Sequence, residues 1–563
     1  MTHTDARSVL IAGAGPVGLT AAVELSRRGV DCRLVDRLPA RLPYAKAVGI
    51  VPRTLEIWDR MGLVRTALEA AVAMLGQLVY VNGVEQPRMD MRLPPEVPYG
   101  FAALPQYETE RILEEHLARF GARIERGTEL VSFTQDATGV TSLLTTASGA
   151  QEEVRSAFLV GCDGAHSAVR KGLGLTFGGG AFPEEYMLAD VQVDWDMPHG
   201  YGVRAMHRDD DGVIDDVLVC IPLPGPGRYR VSMLLAPGLS ARDLSARDLS
   251  ARGGQDGAAA DGIDHGLVTG RGPELADIQK VLDRLSPQPT LASALRWSSV
   301  FRISHRIVDR YGQGRVFVAG DAAHIHPPTG AQGMNTGIQD ACNLAWKLAL
   351  AVGGAAHPRL TASYDAERRP VGEEVVGRTV RHATQGGVQA DAADPAVMML
   401  REAQLLVGYR GSPIVGPVAG VAPQGPQAGD RAPDCEGLSG AISTYPLRLH
   451  DLLRDRDGHV LLLYSDTAGA AGLVELASTA RALSGGRVET CILLADGAPA
   501  GSAGPLPVYR DARGEFGRIY RPQGPTLFAV RPDGYLGARS SPPTSAALAA
   551  YLAETFDEVP EDQ

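Results

Sequence analysis

A glycine-rich turn lies near the N-terminus, between an apolar run at residues 8–12 and a helix-forming segment, Pro16–Arg28. It contains the pattern G-x-G-x-x-G, formed by Gly13, Gly15 and Gly18. Free amides and the dipole at a helix N-terminus bind phosphate oxygens, and a Cβ at Gly13 or Gly15 would obstruct the turn or the phosphate. Gly18 lets the helix lie close to the strand. The pattern therefore indicates a dinucleotide site.

A second strand-like run, residues 31–35, follows this helix, and Asp36 ends it. A carboxylate at that place can accept hydrogen bonds from both hydroxyls of an adenosine ribose. Asp36 therefore supports the dinucleotide site. The two features together do not separate FAD from NAD.

A second motif, GDAAH at residues 320–324, follows a short apolar strand and is itself followed by Pro327-Pro328 and a glycine-rich run at 330–337. It resembles the motif of the group A flavoprotein aromatic hydroxylases, which include phenol, hydroxyphenylpropionate, polyketide and rifampicin hydroxylases. The resemblance implies that Asp321 hydrogen-bonds the ribityl chain of FAD. It also implies that the glycine-rich run starts a helix whose N-terminus faces the pyrimidine end of the flavin, where it can stabilise negative charge.

A third motif, Cys162-Asp163-Gly164, follows the apolar run Phe158–Gly161. It resembles the family's DG motif, which is associated with both FAD and NADPH. A turn that caps a helix is the alternative interpretation. Because no second Rossmann fingerprint occurs in the chain, NAD(P)H must dock transiently on the flavin site.

Single positions also match the family. Gln106 corresponds to a glutamine that contacts the cofactor, and Lys46 stands where many members have arginine, so that the charge is kept but the bidentate fork is lost. A solvated lysine is the alternative there. The expected cofactor contacts are Gly13, Gly15, Pro16, Val17, Gly18, Asp36, Arg37, Lys46, Gln106, Leu130, Asp163, Gly320, Asp321, Pro328, Gly333, Met334 and Asn335.

No side chain is identified as a catalytic acid or base. His324 and His326 lie in the cofactor loop, and we expect His324 to pack or hydrogen-bond locally. There is no Ser/His/Asp triad, zinc spacing or paired-carboxylate pattern, and the six cysteines form no C-x-x-C pair. We expect no metal.

The elements that must position these motifs open as strand–turn–helix–strand, the start of a doubly wound sheet. The expected fold class is α/β: a Rossmann-like FAD-binding domain of the aromatic hydroxylase type, an inserted β-rich substrate domain and a C-terminal thioredoxin-like domain. The expected ranges are 1–75, 105–180 and 296–405 for the FAD-binding domain, 76–104 and 181–295 for the substrate domain, 406–434 for a linker and 435–563 for the thioredoxin-like domain.

Composition limits the partners. The net charge of −12 and the pI of about 5.6 do not favour nucleic acid or anionic lipid. No secretory signal or membrane-spanning run occurs, so we expect a cytoplasmic protein. A tandem repeat at 240–254 predicts a loop, with a mobile lid as the alternative. Lacking C-x-x-C, the last domain is expected to be structural or to mediate a homodimer.

The resemblance implies a single-component monooxygenase. NAD(P)H, with NADPH favoured, would reduce FAD, and O2 would be activated as a flavin C4a-hydroperoxide that hydroxylates a phenolic or polyketide-type aromatic substrate. The substrate should lie between the flavin and the β-rich domain. A Baeyer–Villiger or epoxidising enzyme on the same scaffold is an alternative, and a non-catalytic flavin-binding module is a more distant one.

Overall fold

The computed structural model describes residues 8–234, 266–267, 272–327, 329–384, 394–416, 424–442, 445–466, 472–499, 501 and 503–557. The tandem repeat at 240–254 and Pro328, which we expected to contact the cofactor, lie outside the described residues.

The elements are given in chain order. The strands are β1 (Val9–Ala12), β2 (Cys32–Asp36), β3 (Gly49–Ile50), β4 (Val72–Met74), β5 (Gly76–Val81), β6 (Val84–Glu85), β7 (Met89–Asp90), β8 (Phe101–Ala103), β9 (Ile124–Arg126), β10 (Glu129–Gln135), β11 (Val140–Thr145), β12 (Gln151–Ser156), β13 (Phe158–Gly161), β14 (Phe177–Asp194), β15 (Tyr201–Arg208), β16 (Ile214–Pro222), β17 (Arg228–Leu234), β18 (Gly266–Leu267), β19 (Leu291–Val308), β20 (Gly312–Gln313), β21 (Val316–Val318), β22 (His324–Ile325), β23 (Leu438–Gly440), β24 (His459–Ser465), β25 (Val488–Ala495), β26 (Val508–Asp511), β27 (Thr526–Val530) and β28 (Leu536–Ser540). The helices are α1 (Pro16–Ser26), α2 (Pro52–Arg60), α3 (Val64–Ala70), α4 (Gln106–Ala118), α5 (Ala168–Gly172), α6 (Leu275–Leu285), α7 (Gln332–Val352), α8 (Ser363–Thr384), α9 (Pro395–Glu402), α10 (Leu449–Leu453), α11 (Leu473–Leu483), α12 (Glu515–Tyr520) and α13 (Ser545–Ala553).

The first motif lies at the centre of a mainly parallel sheet. Its strands are ordered β20-β21-β13-β1-β2-β9, and every neighbouring pair is parallel except β20 and β21. The apolar run of β1 is at most 3% exposed, as expected for a strand covered on both faces. The predicted doubly wound sheet is confirmed, and its carboxyl edge carries both the glycine turn after β1 and the DG motif after β13.

The β-rich part is one large sheet ordered β18-β19-β14-β17-β16-β15-β5-β6, with β22 beside β19 and β7 beside β5. Its long strands β14 and β19 run across the expected limits at residues 180 and 296. Helix α6 covers one face of this sheet, where Ile278 and Leu282 pack with Val203 and Leu218. The other face meets the segment before β3, where Tyr44 stacks on Trp297.

The C-terminal part has its own sheet, ordered β23-β26-β25-β24-β27-β28. Strand β24 pairs in parallel with β25 and antiparallel with β27. Helices α11 and α13 pack on one face, and α10 and α12 pack on the other. This mixed sheet between two helical layers agrees with the expected thioredoxin-like domain.

Helix α7 begins inside the glycine-rich run at 330–337, where the family resemblance implied the start of a helix. Its first residue is Gln332. The first turn of α7 contains glycine and polar residues, so it lacks the apolar spacing that is typical of a helix. Packing against neighbouring segments fixes its conformation instead. In the described residues, no helix is long and apolar enough to cross a membrane.

Candidate functional site

The glycine turn between β1 and α1 contains two glycines that the protein itself requires. Gly13 has φ of 100°, and a Cβ on it would lie 2.3 Å from the carbonyl oxygen of Cys162. A Cβ on Gly18 would lie 1.9 Å from the carbonyl oxygen of Gly13. A Cβ on Gly15, in contrast, would have no atom of a described residue within 4 Å. Gly15 thus borders an open cradle at the start of α1, where no side chain of a described residue caps the helix, and this cradle fits a pyrophosphate.

Asp36 ties the end of β2 to this turn. Its Oδ2 accepts a hydrogen bond from the backbone N–H of Ala14 at 2.7 Å, and its Oδ1 accepts one from Leu38 at 2.8 Å. Arg126 forms a longer ion pair with Oδ2, at 3.6 Å. Each carboxylate oxygen can accept a further hydrogen bond, so Asp36 stands where a ribose can be bound. Arg37 lies exposed beside it.

Lys46 and Asp321, far apart in the chain, form an ion pair. The Lys46 Nζ lies 3.3 Å from Asp321 Oδ2, and both side chains are about one third exposed. The same ammonium lies 5.9 Å from the ring centroid of Phe301 on β19. The structure therefore brings together two expected cofactor contacts and places them beside the large sheet.

Val17 is the point at which the two glycine motifs meet. Gly320 has φ of 62°, and a Cβ on it would lie 2.8 Å from Val17 Cγ2. A Cβ on Gly337, in α7, would lie 2.6 Å from the same atom. The first turn of α1, the GD loop and α7 therefore converge, as a single nucleotide bound by both motifs would require.

In the part of the chain that the structure describes, no side chain caps the start of α7. Gly330 and Ala331 precede it with φ of 72° and 57°, and Ala331 is a non-glycine residue in the left-handed region. Such a conformation costs of order 1 kcal/mol or more and persists where the surroundings impose it. The backbone amides of the first turn, which includes Gly333 and Met334, are thereby free of a side-chain cap and available to an anion.

Asn335 fixes this helix start against β3 and α2. Its Oδ1 accepts hydrogen bonds from Val51 N–H and Thr54 Oγ1, and its Nδ2 donates to the carbonyl oxygens of Gly49 and Ala331. These four bonds use the full hydrogen-bonding capacity of the amide. Only the backbone of Asn335 therefore remains available to contact a cofactor, while its side chain holds the loop in position.

Asp163 of the DG motif caps α5 and retains one unused oxygen. Its Oδ2 accepts hydrogen bonds from Ala168 N–H at 2.7 Å and Val169 N–H at 3.2 Å. Its Oδ1 is buried and has no hydrogen-bond partner among the described residues, and burial raises the pKa of the carboxyl. The helix-cap interpretation thus accounts for Oδ2 of Asp163, whereas Oδ1 is available to a ligand beside Gly13. Leu130 on β10 is 6% exposed and packs in the main core.

Gln106 begins α4 and links the segment after Lys46 to a buried acid. Its Oε1 accepts a hydrogen bond from Ala47 N–H at 3.3 Å, and its Nε2 donates to Glu110 Oε1 at 2.9 Å. Burial raises the pKa of Glu110 to about 7 from 4.5. Glu110 therefore titrates near neutral pH at the edge of the site.

The raised pKa of Glu110 makes stability depend on pH. The folded protein keeps this proton up to about pH 7, whereas an unfolded chain releases it near pH 4.5, so stability falls as the pH rises between these values. We expect Glu110→Gln to be more stable than the parent protein at pH 8, by up to about 3 kcal/mol, and equally stable near pH 4.5. Urea unfolding at both pH values measures this. Glu129→Gln, at an exposed acid on β10, is the control, and an equal gain at both pH values would contradict the assignment.

The loop histidines are structural. His324 Nε2 lies 2.8 Å from Asp340 Oδ2, with both side chains buried, which confirms that His324 bonds locally. Burial lowers the pKa of His326 to about 4, so it is neutral at pH 7. Asp340 also accepts a hydrogen bond from Gly320 N–H and pairs with Arg368. Sequence reasoning missed Asp340, although an acid at a buried position of an apolar helix was a signal. No metal-binding cluster occurs among the described residues.

Comparison with known proteins agrees with this arrangement. A family model described as an FAD binding domain matches residues 6–243 and 271–379. The chain is 32% identical over 558 residues to a flavin-dependent monooxygenase of Mycobacteroides abscessus, covering 97% of this chain and 99% of that protein. It is 33% identical over 590 residues to a 6-methylpretetramide 4-monooxygenase of Streptomyces rimosus, covering 100% and 95%.

A solved structure agrees along the full length. The OxyS anhydrotetracycline hydroxylase from Streptomyces rimosus matches with a TM-score of 0.70 and 28% identity, covering 98% of this chain and 99% of that chain. The two ranges that the family model matches contain the glycine turn, the DG motif and the GD loop. The chain therefore belongs to the FAD-dependent aromatic hydroxylase family of flavoprotein monooxygenases.

Proposed function

We propose that this protein uses NAD(P)H and O2 to hydroxylate a phenolic or polyketide-type aromatic compound, with FAD held by the residues described above. The observation that carries the proposal is the convergence of α1, the GD loop and the uncapped start of α7 around Val17. Bound FAD supplies the redox chemistry, by accepting a hydride and activating O2.

The chain's own residues bind, orient and stabilise charge. The uncapped N-terminus of α7 stabilises negative charge that develops on the reduced cofactor. Lys46 holds Asp321 in place, and Asp321 is then positioned to accept a hydrogen bond from the ribityl chain. No protein side chain is assigned as an essential acid or base, since His324 bonds to Asp340 of α7 and His326 bonds to the carbonyl oxygen of Pro327.

An aromatic substrate fits beside the large sheet. Tyr44 and Trp297 stack at 5.0 Å, and Phe301 lies beneath the Lys46 ammonium. Planar rings are bound well by such aromatic side chains. Two relatives are named for polycyclic tetracycline-type compounds, which favours a polycyclic polyketide over a simple phenol.

We propose that NAD(P)H binds transiently at the flavin site. The chain carries one G-x-G-x-x-G fingerprint that opens a helix after a strand, at Gly13 to Gly18, and FAD occupies it in this proposal. NADPH is favoured over NADH on family resemblance alone.

Turnover with a substrate panel tests the proposal. Purified holoenzyme is incubated with NADPH or NADH and a panel of phenols and polycyclic polyketides, while NAD(P)H oxidation and O2 uptake are followed. We expect one compound class to accelerate both and to gain one oxygen atom without ring expansion, by mass and structure. A lactone or an epoxide as product would favour the alternative oxygenations, and no stimulation by any compound would favour a non-catalytic flavin-binding module.

A further inference from the structure

Two arginines lie on the face of the large sheet that is turned away from α6. Arg204 on β15 pairs with Val219 on β16. Arg230 on β17 pairs with Ile221, which also lies on β16. Because Val219 and Ile221 are two residues apart, both arginines point to one side of the sheet. The inner face is defined here as the side that carries Arg204, Val219, Ile221, Arg230, Ser232, Leu188, Asp190, Trp297 and Ser299.

The inner face borders the candidate flavin site. Its Trp297 stacks on Tyr44, and its Ile221 packs with Ala45 and Val48, which flank Lys46. On the opposite face, Val203, Leu218 and Val231 are buried in the core that α6 completes. On the inner face, by contrast, Arg204, Val219 and Ser232 remain half-buried, so part of this face stays accessible to solvent.

Among the residues that the structure describes, neither arginine has a counter-charge. Arg230 is 7% exposed and Arg204 is half-buried, yet neither guanidinium forms a hydrogen bond or ion pair with a described residue, and the Nε of each is buried without an acceptor. Asp190, the neighbour of Arg230 across the strands, pairs instead with Arg228 at 2.5 Å. Burial lowers the pKa of Arg230 to about 10, so it remains charged at neutral pH.

An unpaired buried cation is destabilising, because burial removes its hydration and nothing replaces it. Such a cation is retained where a ligand supplies the missing charge. A guanidinium presents a planar fork of N–H donors that matches two anionic oxygens held in one plane. We propose that Arg204 and Arg230 bind a planar anionic oxygen pair of the substrate, either a carboxylate or the enolate of a 1,3-dicarbonyl. This inference rests on the proposed function and names the acidic group of its substrate.

Paired probes test the inference without turnover. Oxidised holoenzyme, free of NAD(P)H, is titrated with anthraquinone-2-carboxylic acid and its methyl ester, and binding is read from the visible absorption of the flavin. A second arm uses a tetralin-fused 1,3-diketone and its O-methyl enol ether. We expect the anionic member of at least one pair to bind at least about tenfold more tightly than its neutral partner. The pair that shows this preference tells whether the arginines bind a carboxylate or an enolate.

Substitutions of Arg230 then test whether this residue causes the preference for the anionic probe. Arg230→Met keeps the side-chain length and should reduce the preference to about onefold, while Arg230→Lys should retain part of it. Arg208→Met is the matched control, since Arg208 lies exposed on the same strand as Arg204 and should leave the preference unchanged. The Tm of Arg230→Met should be unchanged or raised, because no ion pair is lost.

Four results would overturn the inference: no preference for either anion, which includes no binding of either; a preference that survives in Arg230→Met; a clear fall in the Tm of that variant; or a raised KM for NADPH with substrate binding unchanged. Failure of the monooxygenase proposal looks different, because it shows as unstimulated NAD(P)H oxidation while the anion preference persists.

Discussion

Replacing Gly15 with alanine is expected to weaken FAD binding while leaving the fold intact. A Cβ at this position meets no atom of a described residue within 4 Å, and Gly15 precedes α1 with an ordinary extended backbone, φ of −76°. The methyl group therefore enters only the cradle that the pyrophosphate should occupy. Displacing a phosphate from helix amides removes charge-assisted hydrogen bonds worth about 1.5–3 kcal/mol each, which weakens FAD binding about 10- to 100-fold.

FAD titration of the apoprotein measures the loss of FAD affinity, and thermal unfolding measures whether the fold is intact. Gly13→Ala is the contrasting variant, because its Cβ would collide with the Cys162 carbonyl and both fold and FAD binding should suffer. Gly100→Ala is the neutral control, since its Cβ is likewise free of neighbours within 4 Å. Full FAD affinity in Gly15→Ala would show that the pyrophosphate lies elsewhere, and a large loss of apoprotein stability would show that Gly15 serves the fold.

The sequence predicted this part of the molecule well because its signals are local. A buried strand, a glycine turn and a helix follow one another within Val9–Ser26, and each has its own residue pattern. The pairing of Lys46 with Asp321 could not be derived in the same way, since it depends on how two distant segments pack. Asn335 shows the same limit, because its family role suggested a cofactor contact while tertiary packing assigns its side chain to residues 49–54 and Ala331.

The connection between the C-terminal domain and α7 was also beyond sequence reasoning. Arg531, between β27 and β28, is fully buried and forms a bidentate pair with Glu367 of α8 and a second pair with Asp533. Glu367 also pairs with Lys347 of α7, and Trp346 donates to Asp533. These charges come from three separate stretches of the chain, and the pair between Arg531 and Glu367 joins the C-terminal domain to the FAD-binding part. The C-terminal domain thus supports the helix whose first turn faces the candidate flavin site.

Arg531→Met is therefore expected to cause the largest loss of stability. Removing one partner of a buried ion pair leaves the other charge uncompensated, and the loss is typically about 3–5 kcal/mol. Glu367 and Asp533 would both lose their main cation in this variant, although Lys347 still offsets part of the charge on Glu367. Urea unfolding followed by flavin fluorescence measures the loss and shows whether FAD is released in the same transition.

Arg410→Met is the matched control. Arg410 pairs with Asp430 through two hydrogen bonds of 2.7 Å, yet its side chain is 65% exposed, and pairs of this kind contribute about 0–1 kcal/mol. Equal small losses in the two variants would contradict a stabilising role for the buried network. Release of FAD well before the rest of the protein unfolds in Arg531→Met would instead show that the network acts on the start of α7 rather than on the fold as a whole. A single cooperative transition at lower urea is the result that a purely structural C-terminal domain requires, because the loss then falls on both domains together.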